Sequence, residues 1–209
     1  MFNFKVSKKD LSQNKLASRT YRAESTYGIN SGKWYYEVEI LSSGPIRVGW
    51  ASVSCSPDKE IGTDLQSYAF NGNNGRKMHQ TTESFGKKWS VGSIVGVMID
   101  LQDHTISFSL NGELLLDSVG SETAFNDINM SESYVPAITL GTGQKARLNF
   151  GQDVNSLKYF TNYGLQEGYE PFCVNMSRQI TLWYSKEIPL FSVVNSNNET
   201  IEIIRTSPR

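Results

Sequence analysis

From residue 22 onward, apolar and polar positions alternate in short runs rather than at helical spacing. Trp34, Tyr36, Val38 and Ile40 fall on one face of an extended segment. Tyr35, Glu37 and Glu39 fall on the other, the period-two signature of a half-buried strand. After a Gly44-Pro45 turn, Ile46, Val48 and Trp50 alternate with Arg47 and Gly49, and the two segments predict an antiparallel pair. Residues 67–70 predict a short strand that runs into Asn71-Gly72-Asn73-Asn74-Gly75. Both of its Asn-Gly steps accept positive φ cheaply, so a tight reversal is expected there. Residues 94–99 are apolar on both faces and predict a central strand. Residues 100–104 turn the chain, and Ile106, Phe108 and Leu110 then alternate with Thr105, Ser107 and Ser109. Asn111-Gly112 predicts a hairpin with residues 113–116 returning, which completes a three-stranded meander. Residues 134–140 and 146–150 predict two further strands, joined by a hairpin turn at Gly141-Thr142-Gly143.

Between these strands the pattern weakens. Residues 1–20 read as a polar, flexible arm with Phe2 and Phe4 as its anchors to the core. Residues 117–133 form a long polar loop carrying Asp117, Glu122, Asp127 and Glu132, a length that is uncommon without local folding or a task. Residues 153–164 predict the one helix, capped by Asp153 or Asn155 and ended by Gly164, with Leu157 and Phe160 on one face. Beyond Pro171, residues 180–184 and 199–204 return to strand character. Many short strands with frequent turns define an all-β sandwich or barrel. Trp34, Trp50, Phe108 and Phe150 belong to its core.

Composition narrows the class. The 209 residues carry 20 Lys plus Arg against 21 Asp plus Glu, a net charge of −1. No basic surplus exists for nucleic acid or anionic lipid. Ten Tyr, ten Phe and four Trp need an interior, which argues against disorder. The most apolar window, 91–101, is too short to cross a bilayer and contains Asp100. The first residues lack the order of a signal peptide. One large domain or two small ones fit the length. Cys55 and Cys173 are expected to be reduced thiols in a cytosolic setting, with a single bridge as the alternative. Sequons at Asn129, Asn175 and Asn198 matter only to an exported chain.

Candidate chemistry is sparse. Gly141-Thr142-Gly143-Gln144-Lys145-Ala146 fits a dinucleotide fingerprint in letters, but strand alternation follows it where a helix must start. The Gly72–Gly75 loop ahead of Arg76-Lys77 lacks the phosphate-loop spacing. His79 and His104 have no partner at metal-ligand spacing. No nucleophile elbow is present, and Asp100 and Asp103 read as turn stabilisers. Neither a metal, a cofactor nor catalytic residues are expected. Binding, where it occurs, belongs to loops at one end of the sandwich. The candidate interaction residues are Tyr68, Arg76 and Lys77, with Glu122, Asp127 and Glu132 of the acidic loop. Ser12, in Lys9-Asp10-Leu11-Ser12, is a candidate phosphorylation site.

Taken in order, Gly32-Lys33-Trp34-Tyr35-Tyr36-Glu37-Val38-Glu39, Arg47-Val48-Gly49-Trp50 and Ser67-Tyr68-Ala69-Phe70-Asn71-Gly72 resemble successive SPRY-domain motifs. Val95-Gly96-Val97-Met98-Ile99-Asp100, Phe108-Ser109-Leu110-Asn111-Gly112, Tyr134-Val135-Pro136-Ala137 and Asn149-Phe150-Gly151 continue the series. Leu157-Lys158-Tyr159-Phe160, Gly164-Leu165-Gln166-Glu167-Gly168-Tyr169-Glu170-Pro171-Phe172 and Trp183-Tyr184-Ser185-Lys186 resemble the extension of the second SPRY domain of ryanodine receptors. The resemblance divides the chain into an arm and flanking strand (1–24), a SPRY core (25–151) and a C-terminal extension on the same module (152–209). It implies a bent antiparallel, concanavalin-like β-sandwich without catalysis, in the cytosolic cap of a homotetrameric calcium-release channel of the sarcoplasmic or endoplasmic reticulum. The implied partners are neighbouring domains of the same channel and a voltage-gated calcium channel or other cytosolic regulators. Nucleic acid and direct membrane contact are not among them, and the isolated piece should be a monomer. In other SPRY proteins, loops near the positions of Tyr68 and the turn after it bind short peptides. The competing expectation is therefore a peptide-recruiting adaptor of the ubiquitin-ligase type.

Overall fold

The computed structural model describes residues 2–5 and 18–178. Fourteen strands are assigned there: β1 (Phe2–Lys5), β2 (Ser18–Arg22), β3 (Lys33–Ile40), β4 (Arg47–Ser52), β5 (Ser67–Asn71), β6 (Arg76–His79) and β7 (Thr81–Ser84), followed by β8 (Ile94–Asp100), β9 (Thr105–Leu110), β10 (Glu113–Leu114), β11 (Thr123–Phe125), β12 (Tyr134–Gly141), β13 (Lys145–Asn149) and β14 (Glu170–Pro171). They form two sheets. One has the order β1-β13-β3-β8-β9-β10, with β11 also on β9 and β14 on β3; the other runs β2-β12-β4-β5-β6-β7. Every pairing is antiparallel except β14 with β3. Residues 172–178 form a helix, α1. The expected all-β sandwich with one short C-terminal helix is what the chain adopts.

The interior lies between the sheets. Tyr36, Val38 and Ile40 of β3 and Val95, Val97 and Ile99 of β8 face Val48 and Trp50 of β4, Phe70 of β5, and Ile138 and Leu140 of β12. Tyr36 meets Trp50 edge to face at 5.2 Å and donates its hydroxyl hydrogen to the Gly49 carbonyl at 2.5 Å. Trp34, Trp50, Phe108 and Phe150 are buried as expected.

Several local expectations give way to non-local pairing. Residues 34–40 and 46–50 do form strands, but not with each other: β3 pairs with β8 and β13, and β4 with β5 and β12. The Gly44-Pro45 turn is an arch between sheets, because the apolar faces of both strands must meet across the core. The turn at Gly141–Gly143 is likewise an arch, since β12 and β13 lie in different sheets. Gln144 closes it, accepting the Gly141 N–H on its side-chain oxygen at 2.6 Å. Residues 2–5 of the expected arm are an edge strand on β13. The helix expected at 153–164 shrinks to one 3-10 turn, Val154–Ser156, where Asp153 accepts the Asn155 N–H. The helix of this region is α1, just beyond Pro171. The hairpin β6–β7 had no apolar alternation to announce it, and the acidic loop contains β11. The strands expected at 180–184 and 199–204 lie outside the described residues.

The second face of β3 is covered as well. Tyr35 and Met98 pack under Leu157, Phe160 and Tyr169 of the extension, so β3 is buried on both faces over most of its length.

Candidate interaction site

Lys77, His79, Thr81, Glu83 and Phe125 surround a half-open cavity of 140 Å³ at the edge of the sandwich. Strand geometry puts them there. Lys77 pairs with Glu83 and His79 with Thr81 across β6 and β7, so all four side chains leave the hairpin on one face. Phe125 of β11 closes the far side.

Tyr68 is beneath this cavity rather than on its rim, at 4% exposure. Its ring stacks on His79 at 4.0 Å, with 6° between planes, and meets Phe125 edge-on at 5.2 Å. Its hydroxyl accepts the Asn129 N–H at 3.3 Å. The Nδ1 of His79 lies 2.9 Å from the Ser67 carbonyl, which can only accept, so Nδ1 carries the hydrogen. Lys77 donates to the Ala124 carbonyl at 2.8 Å, pairs with Glu83 at 3.4 Å and sits over the rings of Phe125 and Phe85. It ties β11 to the hairpin.

Arg76 and Lys77 do not act together. Adjacent in a strand, they point to opposite faces, and Arg76 is exposed on the other side. The acidic loop is also dispersed. Glu122 is exposed and accepts from the Tyr163 hydroxyl at 3.3 Å. Asp127 is exposed at a left-handed φ of 53°. Glu132 accepts from the Ser52 hydroxyl at 2.5 Å. Ser12 lies outside the described residues. Thr81 and Glu83 went unnoticed in the sequence because they lie in a polar run without a burial signal, Phe125 stood alone within the polar loop, and His79 was read only as a histidine without a metal-ligand partner.

The described residues contain no cluster of three or more potential metal ligands. His104 is exposed at a φ of 57°, in the turn before β9. Cys55 is a buried free thiol, and burial raises its pKa above the ordinary value, which makes it a poor nucleophile. Cys173 is free and half-buried. No helix among the described residues is long and apolar enough to cross a membrane. A second cavity of 350 Å³ opens between β2, β12, β13 and α1, lined by Tyr21, Ala23, Tyr27, Leu148 and Met176 among others.

The described residues thus form a two-sheet sandwich with an aromatic-floored cavity at one edge. The SPRY domain model matches residues 33–153, more than half the chain. The chain belongs to the SPRY domain family, whose members mediate protein–protein contacts. An E3 ubiquitin-protein ligase of Arabidopsis thaliana, RKP, is 37% identical over 126 residues, which is 59% of this chain and 10% of that protein. The ATP-dependent RNA helicase DDX1 of Xenopus laevis is 31% identical over 101 residues, 48% of this chain and 13% of the helicase. The Drosophila melanogaster helicase Ddx1 is 26% identical over 129 residues, 61% of this chain and 17% of its own length. The chain thus spans only a small fraction of these relatives.

Proposed function

We propose that the chain is a non-catalytic interaction domain in the cytosolic region of an intracellular calcium-release channel of the ryanodine-receptor type. It packs against neighbouring domains of the same channel and tunes gating through those contacts. The observation that carries this reading is the docking of the extension. Leu157, Phe160, Tyr169 and Phe172 lie beyond the SPRY match and are all buried on the sandwich. They belong to the motifs that resemble the ryanodine-receptor extension. In this reading the parent is a homotetramer at the cytosolic face of the sarcoplasmic or endoplasmic reticulum, the domain alone is a monomer, and a voltage-gated calcium channel or another cytosolic regulator is a further partner.

Glu122→Gln and Asp127→Asn test it in the full-length parent. Both sites are exposed, and Asn tolerates the left-handed φ of Asp127. The isolated domain should keep its melting temperature, while calcium release from vesicles carrying the parent changes in threshold. Unchanged release excludes a gating role for this loop.

The second reading is a peptide-recruiting adaptor. The match to an E3 ligase and the cavity beside Lys77, His79 and Phe125 favour it. A peptide array should then return a short motif with micromolar affinity that is lost on Thr81→Arg, which fills the cavity. A set of unrelated weak binders counts against it.

A further inference from the structure

The hairpin that walls the cavity also ends the six-stranded sheet. β7 is its last strand, and all four residues are exposed. Register fixes where its backbone groups point. Arg76 pairs with Ser84, Lys77 with Glu83 and Met78 with Thr82. One step further, the Phe85 N–H donates to the Gly75 carbonyl at 3.0 Å. Bonded and non-bonded pairs alternate in an antiparallel ladder. Lys77 and Glu83 are therefore a bonded pair, and the N–H and C=O groups of Thr82 and Ser84 face outward. Among the described residues no strand pairs with that side. Edges are usually blunted by shortness, charge, Pro, a bulge or a covering element, and of these β7 has its four-residue length and one charge. β7 has no Pro or Lys, its register with β6 is unbroken, and its single charge, Glu83, is met by Lys77.

We propose that the edge of β7, unpaired among the described residues, docks an extended segment of a partner protein, which adds as a further strand and places one uncharged apolar side chain in the cavity. This rests on the reading of the chain as an interaction domain and names how it would engage. Thr81 and Glu83 are both strand residues and cavity walls, so a strand bonded to Thr82 and Ser84 carries its intervening side chain over that face. Charge selects the side chain. The cavity's ion pair is already closed between Lys77 and Glu83, and Lys77 also holds the Ala124 carbonyl. An entering carboxylate or ammonium would lose its water and disturb that pair. An aliphatic side chain would instead cover Phe125 and the Tyr68–His79 stack. Main-chain bonds supply affinity and the cavity supplies preference at alternate positions.

The 209-residue chain is panned against a phage library of random dodecapeptides, and enriched peptides are remade with single N-methyl amides. Enriched peptides should share one apolar residue. N-methylation should weaken binding about tenfold or more at every second residue and leave the intervening ones nearly unchanged. Thr82→Pro, which removes an outward N–H where an edge strand tolerates Pro, should cost a similar factor at unchanged melting temperature. Binding that ignores Thr82→Pro, or N-methyl losses without alternation, overturns strand addition. If Thr81→Arg still abolishes that binding, the cavity remains an interaction site of another geometry. A library that yields nothing above background overturns the docking site.

Discussion

At the scale of single residues, Glu37 carries the most consequence. Its carboxylate is buried and accepts the Tyr35 hydroxyl at 2.9 Å, the Lys158 N–H at 2.9 Å and the Tyr159 N–H at 2.7 Å. Burial, with the Glu37 charge beside it, pushes the Tyr35 pKa far up, so that hydroxyl remains a donor. One carboxylate thus joins the central strand of the core to the start of the extension. Glu37→Ala leaves two backbone N–H groups without their acceptor. It should lower stability by about 2–4 kcal/mol in denaturant unfolding and make Lys158 a tryptic site. A variant as stable and as resistant as the parent would show that the extension is held by its apolar contacts alone. Asp100 makes a second test. It is buried, which raises a carboxyl, yet the Lys33 ammonium at 2.7 Å and the N–H groups of Asp103 and Gln102 outweigh burial and hold its pKa below the ordinary 3.8. A carboxyl lowered on folding adds stability above its unfolded pKa and loses it as pH falls through the folded value. Asp100→Asn should therefore cost about 2 kcal/mol at pH 7, and the gap should close as pH falls below about 3.8. A gap that stays constant down the acid limb would contradict the ion pair.

At the scale of elements, α1 and the strands it covers show what local pattern can and cannot reveal. Phe172 at the start of α1 is fully buried, 5.9 Å from the Trp50 ring and 5.4 Å from that of Phe150, both at steep angles. Phe172→Ala should destabilise the domain by about 3–5 kcal/mol and shift near-ultraviolet dichroism, because the ring anchors α1 to two core aromatics. A loss under about 1 kcal/mol would mean the site collapses without cost. The meander of β8, β9 and β10 was legible from the sequence, since Asn111-Gly112 and the alternation around it specify neighbours directly. The arches at Gly44-Pro45 and Gly141–Gly143 were not. A short Gly-containing loop between two alternating strands serves a hairpin or an inter-sheet arch equally, and only partners distant in sequence decide. The outer face of β3 misled for a related reason: Tyr35 and Glu37 look solvent-facing until residues 157–169 cover them. Of the candidate site, Tyr68 and Lys77 were legible as residues but not in role, because stacking on His79 and capping of Ala124 come from tertiary placement.

At the scale of the whole molecule, the sandwich and its extension share the Glu37 hydrogen bonds, the Tyr35–Phe160 contact at 5.2 Å and the Phe172 anchor. The extension is thereby tied to the sandwich at both polar and aromatic contacts. The chain's net charge of −1 offers no large charge surplus to attract a partner of opposite sign. The central claim is that this body belongs to the cytosolic region of a calcium-release channel. A density map of the intact parent protein tests that most directly. The account predicts a fourfold assembly above a transmembrane pore, with each copy of this sandwich and its docked extension seated against neighbouring domains on the cytosolic side. A parent that carries this domain beside a ubiquitin-ligase or helicase module, with no pore, would contradict it.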